Sequence, residues 1–143
     1  MLSQTAEYAL RAVVHLAEQD ADTLTPVADI AAALEVPANY LSKILHQLAR
    51  AGVVESTRGP RGGFRLGAAA DTITLGDVVG AFDSLKDQKR CLLGRPRCSD
   101  ANPCGAHERW KVVKEPVALF FEQTTIADVL GRVGALSGVS RRK

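Results

Sequence analysis

The sequence predicts a mainly α-helical protein with a small β-hairpin wing, that is, a winged helix-turn-helix followed by a long dimerisation helix. Three observations predict this fold class. Apolar residues recur at helical spacing in three short segments near the N-terminus, a glycine-rich stretch with two arginines joins two segments of strand character, and a longer amphipathic segment follows in the C-terminal half. The 143 residues suffice for one domain with an appended element.

The first predicted helix begins at Ser3, because serine is a favoured N-cap residue. Polar and charged residues occupy one side of it, and His15 lies near that side as an ordinary surface histidine, since no cysteine is close in sequence. The apolar side repeats at spacings of three and four residues and consists of Ala6, Leu10, Val13, Val14 and Ala17. This pattern predicts an amphipathic helix that ends before residue 20.

Two further short helices with a tight turn between them predict a helix-turn-helix. Thr25 and Pro26 are expected to be the N-cap and the first residue of the second helix, and the third helix is expected to end before Gly52. Only residues 35–37 separate the two apolar stripes. These stripes are Val27, Ile30, Ala31 and Leu34 in the second helix and Leu41, Ile44, Leu45 and Leu48 in the third.

The outer face of the third helix carries side chains that can read DNA. Asparagine and glutamine can pair with adenine edges, and lysine and arginine can reach guanine or phosphate. A helical hairpin with an ordinary solvated face is the alternative that these helices alone leave open. We predict that the major groove is contacted by Asn39, Tyr40, Ser42, Lys43 and Gln47, with Arg50 as a further DNA contact on a face that also carries His46.

The segment after the third helix predicts a wing. Residues 53–57 and 64–66 have strand character, and the six residues between 57 and 64 include three glycines and two arginines. Glycine permits tight, partly left-handed turns, so Arg58 and Arg61 can approach a minor groove or the DNA backbone closely. The same stretch does not fit a nucleotide phosphate loop, because it lacks the Gly-Lys-Ser/Thr sequence and follows the end of a helix.

Charge is distributed unevenly along the chain, although the net charge is only +2. Residues 1–35 hold one basic and six acidic residues, a net charge of −5, whereas residues 36–66 hold five basic residues and one acidic residue, a net charge of +4. A local basic region of this kind is typical of a surface that contacts phosphate. Residues 86–114 carry eight basic and three acidic residues, +5, which can compensate a negatively charged metal cluster or form a second DNA-facing surface.

Three cysteines and a histidine lie within seventeen residues, and the sequence contains no other cysteine. These candidate metal ligands are Cys91, Cys98, Cys104 and His107, with the spacing Cys-x6-Cys-x5-Cys-x2-His. Their polar and charged neighbours do not bury thiols in an apolar core, and thiolate with imidazole favours an iron-sulfur cluster or zinc. Residues 102 and 103, Asn-Pro, predict the start of a helix whose first turn would hold both Cys104 and His107.

Other interpretations of the cysteines stay open. Three cysteines and one histidine could hold a closed, structural zinc ion, and thiols among arginines could form a metal-free redox switch. A zinc enzyme with Glu108 as base is the most distant alternative, because no His-x-Glu sequence precedes the cysteines as it does in deaminases. No nucleophile motif surrounds the histidines either. We therefore predict that the protein is not an enzyme.

The C-terminal part of the chain predicts three helices. The first covers residues 75–82, and a longer one begins at about Cys104, in which Pro116 should cause a kink or a break. Its apolar surface exceeds what a small winged domain needs, so we expect a homodimer contact, with an intrachain core contact as the alternative for any single residue. The apolar residues are Trp110, Val113, Val117, Phe120 and Phe121 in the long helix and Ile126, Val129 and Leu130 in the last one.

We predict three regions along the chain: a DNA-binding winged helix-turn-helix in residues 1–70, a cluster-binding loop with dimerisation helices in residues 71–135, and a polar tail in residues 136–143. The odd number of cysteines and an N-terminus that lacks the features of a signal peptide favour a cytoplasmic location with reduced thiols. No apolar run approaches the roughly 20 residues that span a bilayer, so no membrane role is expected.

Segments along nearly the whole chain resemble the Rrf2 family of bacterial repressors. They are residues 2–11, the turn at 36–41, the wing at 58–64 and the cysteine stretch that ends Cys104-Gly105-Ala106-His107. The resemblance implies a homodimeric winged helix-turn-helix repressor whose binding to a double-stranded DNA operator is gated by an iron-sulfur cluster, in response to redox change or nitric oxide. It favours a 2Fe-2S cluster over a 4Fe-4S cluster, with zinc as the alternative metal.

The resemblance also bears on the fourth metal ligand. His107 matches the histidine that completes a 2Fe-2S site in the branch of the family that regulates cluster assembly, whereas Glu7 falls where other members offer a carboxylate from the partner subunit. We favour His107 because it is expected to share a helix turn with Cys104, while Glu7 is also explained as a favourable acid in a first helical turn. The cluster-binding members that the chain most resembles separate the first two cysteines by five residues, whereas this chain separates them by six, Leu92 to Arg97.

Overall fold

The computed structural model describes residues 2–82 and 105–131 of the chain. Within these ranges it contains six helices and one antiparallel hairpin, which confirms the predicted fold class. The elements are α1 (Gln4–Ala17), α2 (Val27–Leu34), α3 (Ala38–Arg50), β1 (Val54–Thr57), β2 (Gly63–Leu66), α4 (Leu75–Val79), α5 (His107–Gln123) and α6 (Ile126–Gly131). None of the described helices is both long enough and apolar enough to span a bilayer.

Helix α1 packs against helices α2, α3, α4 and α6 and forms the centre of the core. Ser3 caps it as predicted, with its Oγ accepting a hydrogen bond from the N–H of Ala6 at 3.1 Å. The buried side differs in part from the predicted stripe, since Leu10, Val14 and Ala17 are only partly buried. The buried residues of α1 are Ala6, Ala9, Ala12, Val13 and Leu16. Three of them are alanines, whose small side chains let the neighbouring helices approach closely.

Helices α2 and α3 form the predicted helix-turn-helix. The four apolar residues predicted for α3 (Leu41, Ile44, Leu45 and Leu48) are all buried. Glu35 ends α2 in the left-handed region with φ 57°, and the N–H of Val36 donates to the carbonyl of Ala31 at 3.0 Å. This bond belongs to a Schellman motif, which turns the chain sharply toward α3. Gly52 follows α3 with φ 81°, as predicted from its position.

The prediction that Thr25 caps α2 is wrong. Pro26 occupies the N-cap position, and no side chain caps the helix. Thr25 instead pairs with Phe64 of β2, each N–H donating to the other's carbonyl at 2.9 Å. The buried Thr25 therefore adds a third extended segment to the wing sheet. Because its backbone pairs with β2, Thr25 does not cap α2.

The wing is a regular antiparallel hairpin. Val54 lies opposite Leu66, and Thr57 lies opposite Gly63. A side chain at position 63 would place its Cβ 2.6 Å from the carbonyl carbon of Thr25, so the close pairing of these segments requires glycine. In the tip, Gly59 has φ 108°, which confirms the expected left-handed turn.

Helices α4 and α6 begin side by side with the same device. Each has a Thr-x-x-Asp capping box in which threonine and aspartate bond each other's backbone N–H: Thr74 with Asp77, and Thr125 with Asp128. The N–H of Leu75 donates to the carbonyl of Thr124 at 2.8 Å and joins the two helix starts. Helix α4 ends at Val79, three residues before the predicted end.

Helix α5 begins later than predicted. Gly105 and Ala106 lie in a turn, Ala106 is the N-cap, and the first helical residue is His107. The prediction that Cys104 and His107 share a first helical turn falls on a residue outside the described ranges, because the described chain resumes at Gly105. Pro116 does not divide the helix, which runs for 17 residues through that position. The missing N–H of proline costs one backbone hydrogen bond without ending the helix.

Candidate nucleic-acid interface

The exposed side of α3 carries a row of polar side chains. Asn39, Lys43, His46 and Arg50 are all exposed, and their spacings of four, three and four residues place them on one helix face. The opposite face is formed by the buried stripe that anchors α3 in the core. This arrangement leaves a continuous surface that an α-helix can present to the major groove, which is wide enough to admit it.

Three other residues predicted to contact DNA are half-buried. The hydroxyl of Tyr40 lies 2.8 Å from Oγ1 of Thr5, and its ring packs edge-on against Tyr8 with centroids 5.8 Å apart. Ser42 lies beside His46, whose Nδ1 is 2.7 Å from the Ser42 carbonyl oxygen. The contacts of Tyr40 show that it helps to hold α3 against α1.

Gln47 also has a partner inside the chain. Its Nε2 donates to the carbonyl oxygen of Ala81 at 2.5 Å, and so links α3 to the turn that follows α4. Positions 40 and 47 flank the buried Ile44 at spacings of four and three residues, which turns both side chains toward the core. Spacing relative to Ile44 was the signal in the sequence that separates these two residues from the exposed row.

The wing tip adds positive charge next to α3. Arg58 and Arg61 are both exposed. Arg65 lies farther from the tip, where its Nε is 3.0 Å from Oε2 of Glu55 on the facing strand. Since both side chains of this pair are partly exposed, at 39% and 55%, the pair stabilises the hairpin only weakly, by less than about 1 kcal/mol.

A groove of about 300 Å³ separates α3 from the wing. Ser42 and His46 of α3 line one side, and Thr57, Arg58 and Phe64 line the other. The rings of His46 and Phe64 meet edge to face with centroids 5.6 Å apart. The exposed face of α3 and the part of the wing next to Arg58 therefore belong to one continuous surface.

The predicted metal ligands fall largely outside the described residues. This holds for Cys91, Cys98 and Cys104, and for the side chain of His107, whose backbone begins α5. Glu7 is exposed in the first turn of α1. Within residues 2–82 and 105–131, no three histidine, cysteine, aspartate or glutamate side chains come together as a metal site would require.

Helix α5 has two apolar sides, which the sequence pattern did not separate. Among the residues predicted to be apolar contacts, Phe121 is buried, whereas Val113 and Phe120 are 48% and 54% exposed. Val112 and Leu119 are exposed too, and with Pro116 they complete a stripe whose spacings of three and four residues place it on one face. The exposed apolar stripe of α5 is Val112, Val113, Pro116, Leu119 and Phe120.

The helix-turn-helix, the strand pairing and the hairpin define the protein as a winged-helix DNA-binding protein. A family model described as "Rrf2: Iron-dependent Transcriptional regulator" matches residues 2–132, and the chain belongs to this family. It is therefore a helix-turn-helix transcriptional regulator of the Rrf2 family and not an enzyme.

Relatives and solved structures agree with this assignment. The chain is 39% identical over 132 residues to an Aquifex aeolicus protein assigned as an HTH-type transcriptional regulator, covering 91% of each chain. It is 31% identical to the HTH-type transcriptional regulator IscR of Yersinia pseudotuberculosis over 99% of this chain and 85% of the relative. The structure of CymR, the global cysteine regulator of B. subtilis, superposes with a TM-score of 0.74 at 25% identity, covering 90% of this chain and 95% of CymR.

Proposed function

We propose that this regulator is a homodimeric repressor that binds a double-stranded operator through α3 and the wing, and that an iron-sulfur cluster on Cys91, Cys98 and Cys104 gates this binding. The observation that carries the DNA-binding part is the continuous surface formed by the exposed row of α3 and the wing. Asn39 and Lys43 are suited to base edges, Arg50 to phosphate, and Arg58 and Arg61 to the minor groove or backbone. Tyr40 and Gln47 position α3 through their contacts with α1 and the end of α4.

Arg61→Ala tests the wing assignment. Because Arg61 is exposed at the tip, we expect its removal to weaken DNA binding about three- to tenfold for every sequence and to lower the salt dependence by about one released ion per phosphate contact. Fluorescence anisotropy over a series of KCl concentrations measures both quantities. Arg11→Ala on α1 controls for the loss of one positive charge away from the wing, and its melting temperature is measured as well because Arg11 donates to the Leu34 carbonyl and lies over the Tyr8 ring. An unchanged affinity and salt slope in Arg61→Ala would show that the wing does not contact DNA.

The exposed apolar stripe of α5 supports the homodimer. Apolar surface of this extent on one helix face is typical of a protein interface, and the partner proposed here is a second copy of the chain. Two copies related by a two-fold axis bring two α3 helices to half-sites about 34 Å apart, one turn of DNA. A single winged module could contact only one half-site, so the dimer supplies most of the operator specificity.

The donor set of the cysteine stretch fits an iron-sulfur cluster. Three thiolates suit iron, and His107 or the partner's Glu7 would complete the ligand set. When bound, such a cluster would supply redox and nitric oxide chemistry in a part of the sequence, residues 86–114, that carries a net charge of +5. A 2Fe-2S cluster is the form we propose. In the chain, the cysteines stand between α4, which packs on α1 of the winged module, and α5 of the proposed dimer interface, so binding there restrains the winged module relative to α5.

The bond between Gln47 and Ala81 gives this restraint a route to α3. Ala81 lies close in sequence to the cysteine stretch, and Gln47 holds α3 to its carbonyl. A change in the position of the turn after α4 is therefore transmitted to the recognition surface. The coupling is expressed as the ratio of operator affinities with and without the cluster.

Gln47→Leu is expected to reduce this ratio about fivefold, because leucine fills similar space but cannot donate to the Ala81 carbonyl, a bond worth about 1 kcal/mol. The measurement compares cluster-loaded and cluster-free protein on a duplex selected by the wild type from a random library. Gln19→Leu is a matched control, since Gln19 donates to the carbonyl of His15 within α1. A wild-type ratio in Gln47→Leu would show that α3 does not respond through this contact.

A further inference from the structure

The groove between α3 and the wing is suited to an anion. It is lined by hydroxyl groups, glycine backbone and two ionisable side chains, His46 and Arg58, and none of the described residues that line it is acidic. The helix side of the groove belongs to the surface proposed for the major groove, and the other side to the wing proposed for the minor groove. The sugar-phosphate backbone that separates those two grooves of DNA must therefore pass between α3 and the wing.

The hydrogen bonding of His46, which lines the groove, indicates which of its ring nitrogens is left for a ligand. Its Nδ1 lies 2.7 Å from the carbonyl oxygen of Ser42. A carbonyl oxygen only accepts, so Nδ1 carries a hydrogen and donates it, and Nε2 is the nitrogen that remains for a ligand. On a neutral ring Nε2 is an acceptor, as a phosphate oxygen is. Only the imidazolium form can donate from Nε2 to phosphate.

We infer that the groove holds a DNA phosphodiester and that His46 takes up a proton from solvent when the duplex binds, donating from Nε2 to a phosphate oxygen. This inference rests on the proposed placement of α3 and the wing on DNA. It adds a sequence-independent contact that was not among the predicted DNA-binding residues, and it makes DNA affinity depend on pH.

The charged groups near His46 are cationic. Arg58 lines the same groove from the wing, and Lys43 and Arg50 lie one helical turn away on either side along α3. At the start of α2, the residues that line the groove are Pro26 and Val27, and neither side chain ionises. The phosphate is therefore the group that would stabilise the imidazolium, since no carboxylate lines the groove.

The test uses full-length protein and a random-sequence duplex of about 30 base pairs, because a phosphate contact does not need the operator. Affinity is measured by fluorescence anisotropy between about pH 6 and pH 8, where imidazole changes charge, and over a series of KCl concentrations. We expect the wild type to bind about tenfold more tightly at the lower pH. In His46→Gln the increase in affinity at the lower pH should shrink to the part that other titrating groups cause. The salt dependence of binding at the lower pH should also fall.

Two further variants separate the possible causes. His46→Lys carries a fixed charge and should retain the low-pH salt slope of the wild type with little pH dependence, whereas His15→Gln on α1 should behave as the wild type. His46 is exposed, so unfolding is not expected, and melting temperatures check this. If His46→Gln keeps the wild-type pH dependence and salt slope while Arg61→Ala weakens binding, the His46 inference is overturned and the DNA-facing surface stands. If neither variant weakens binding, both are overturned.

Discussion

Phe120→Glu is expected to convert the protein from a dimer to a monomer and to lower operator affinity by about two to four orders of magnitude. Phe120 is 54% exposed and lies in the stripe that also contains Val112, which is 72% exposed. In the proposed dimer these side chains face a second copy, and a carboxylate buried there would have no partner, at a cost of several kcal/mol per chain. Light scattering coupled to size-exclusion chromatography measures the oligomeric state.

The neighbouring residues provide internal controls for this prediction. Phe120→Leu keeps an apolar side chain and should remain dimeric. Phe121, only 6% exposed, faces the core, so Phe121→Ala should lower the free energy of unfolding by about 3–5 kcal/mol without being a specific test of dimerisation. A Phe120→Glu protein that stays dimeric with unchanged operator affinity would place the dimer interface elsewhere.

The helix-turn-helix and the wing could be predicted from sequence because their signals are local. The stripe of α3 repeats at helical spacing, Gly52 follows its end, and glycines and arginines mark the hairpin tip, so each element follows from residues within a few positions of one another. Thr25 could not be placed correctly in the same way. Its pairing with Phe64 joins residues far apart in sequence, and this tertiary hydrogen bonding overrides a local preference for capping a helix.

Helix α5 illustrates a second limit of sequence patterns. Apolar residues occupy two of its faces, one packed on the core through Phe121 and Ala118 and one exposed through Val113 and Phe120. The pattern of apolar residues in the sequence does not separate these two faces. The sequence pattern likewise does not show the partner of Gln47. This side chain has the chemistry of a base-reading residue but donates to the backbone carbonyl of Ala81. Which polar side chains face outward follows from the packing of helices that are distant in sequence.

Cys98→Ala should abolish the cluster. We expect anaerobically purified wild type to absorb visible light and to contain about two iron and two sulfide ions per chain, and the variant to be colourless and nearly free of iron. Ser99→Ala is a matched control, because it removes a neighbouring polar atom that is not a soft metal ligand. The same measurement on His107→Ala and Glu7→Ala identifies the fourth ligand, since only removal of the true ligand should shift the spectrum.

The consequence for DNA binding follows from the position of the cysteines between α4 and α5. Without the cluster, the winged module is less restrained relative to the dimer helix, and the two α3 helices must be ordered when they bind two half-sites. We expect Cys98→Ala and cluster-free wild type to bind the selected operator equally, and about tenfold more weakly than the loaded protein.

A colourless wild type with about one zinc ion per chain would contradict the sensor and indicate a structural site. A metal-free wild type whose mass rises by about 2 Da on reduction would indicate a disulfide switch instead.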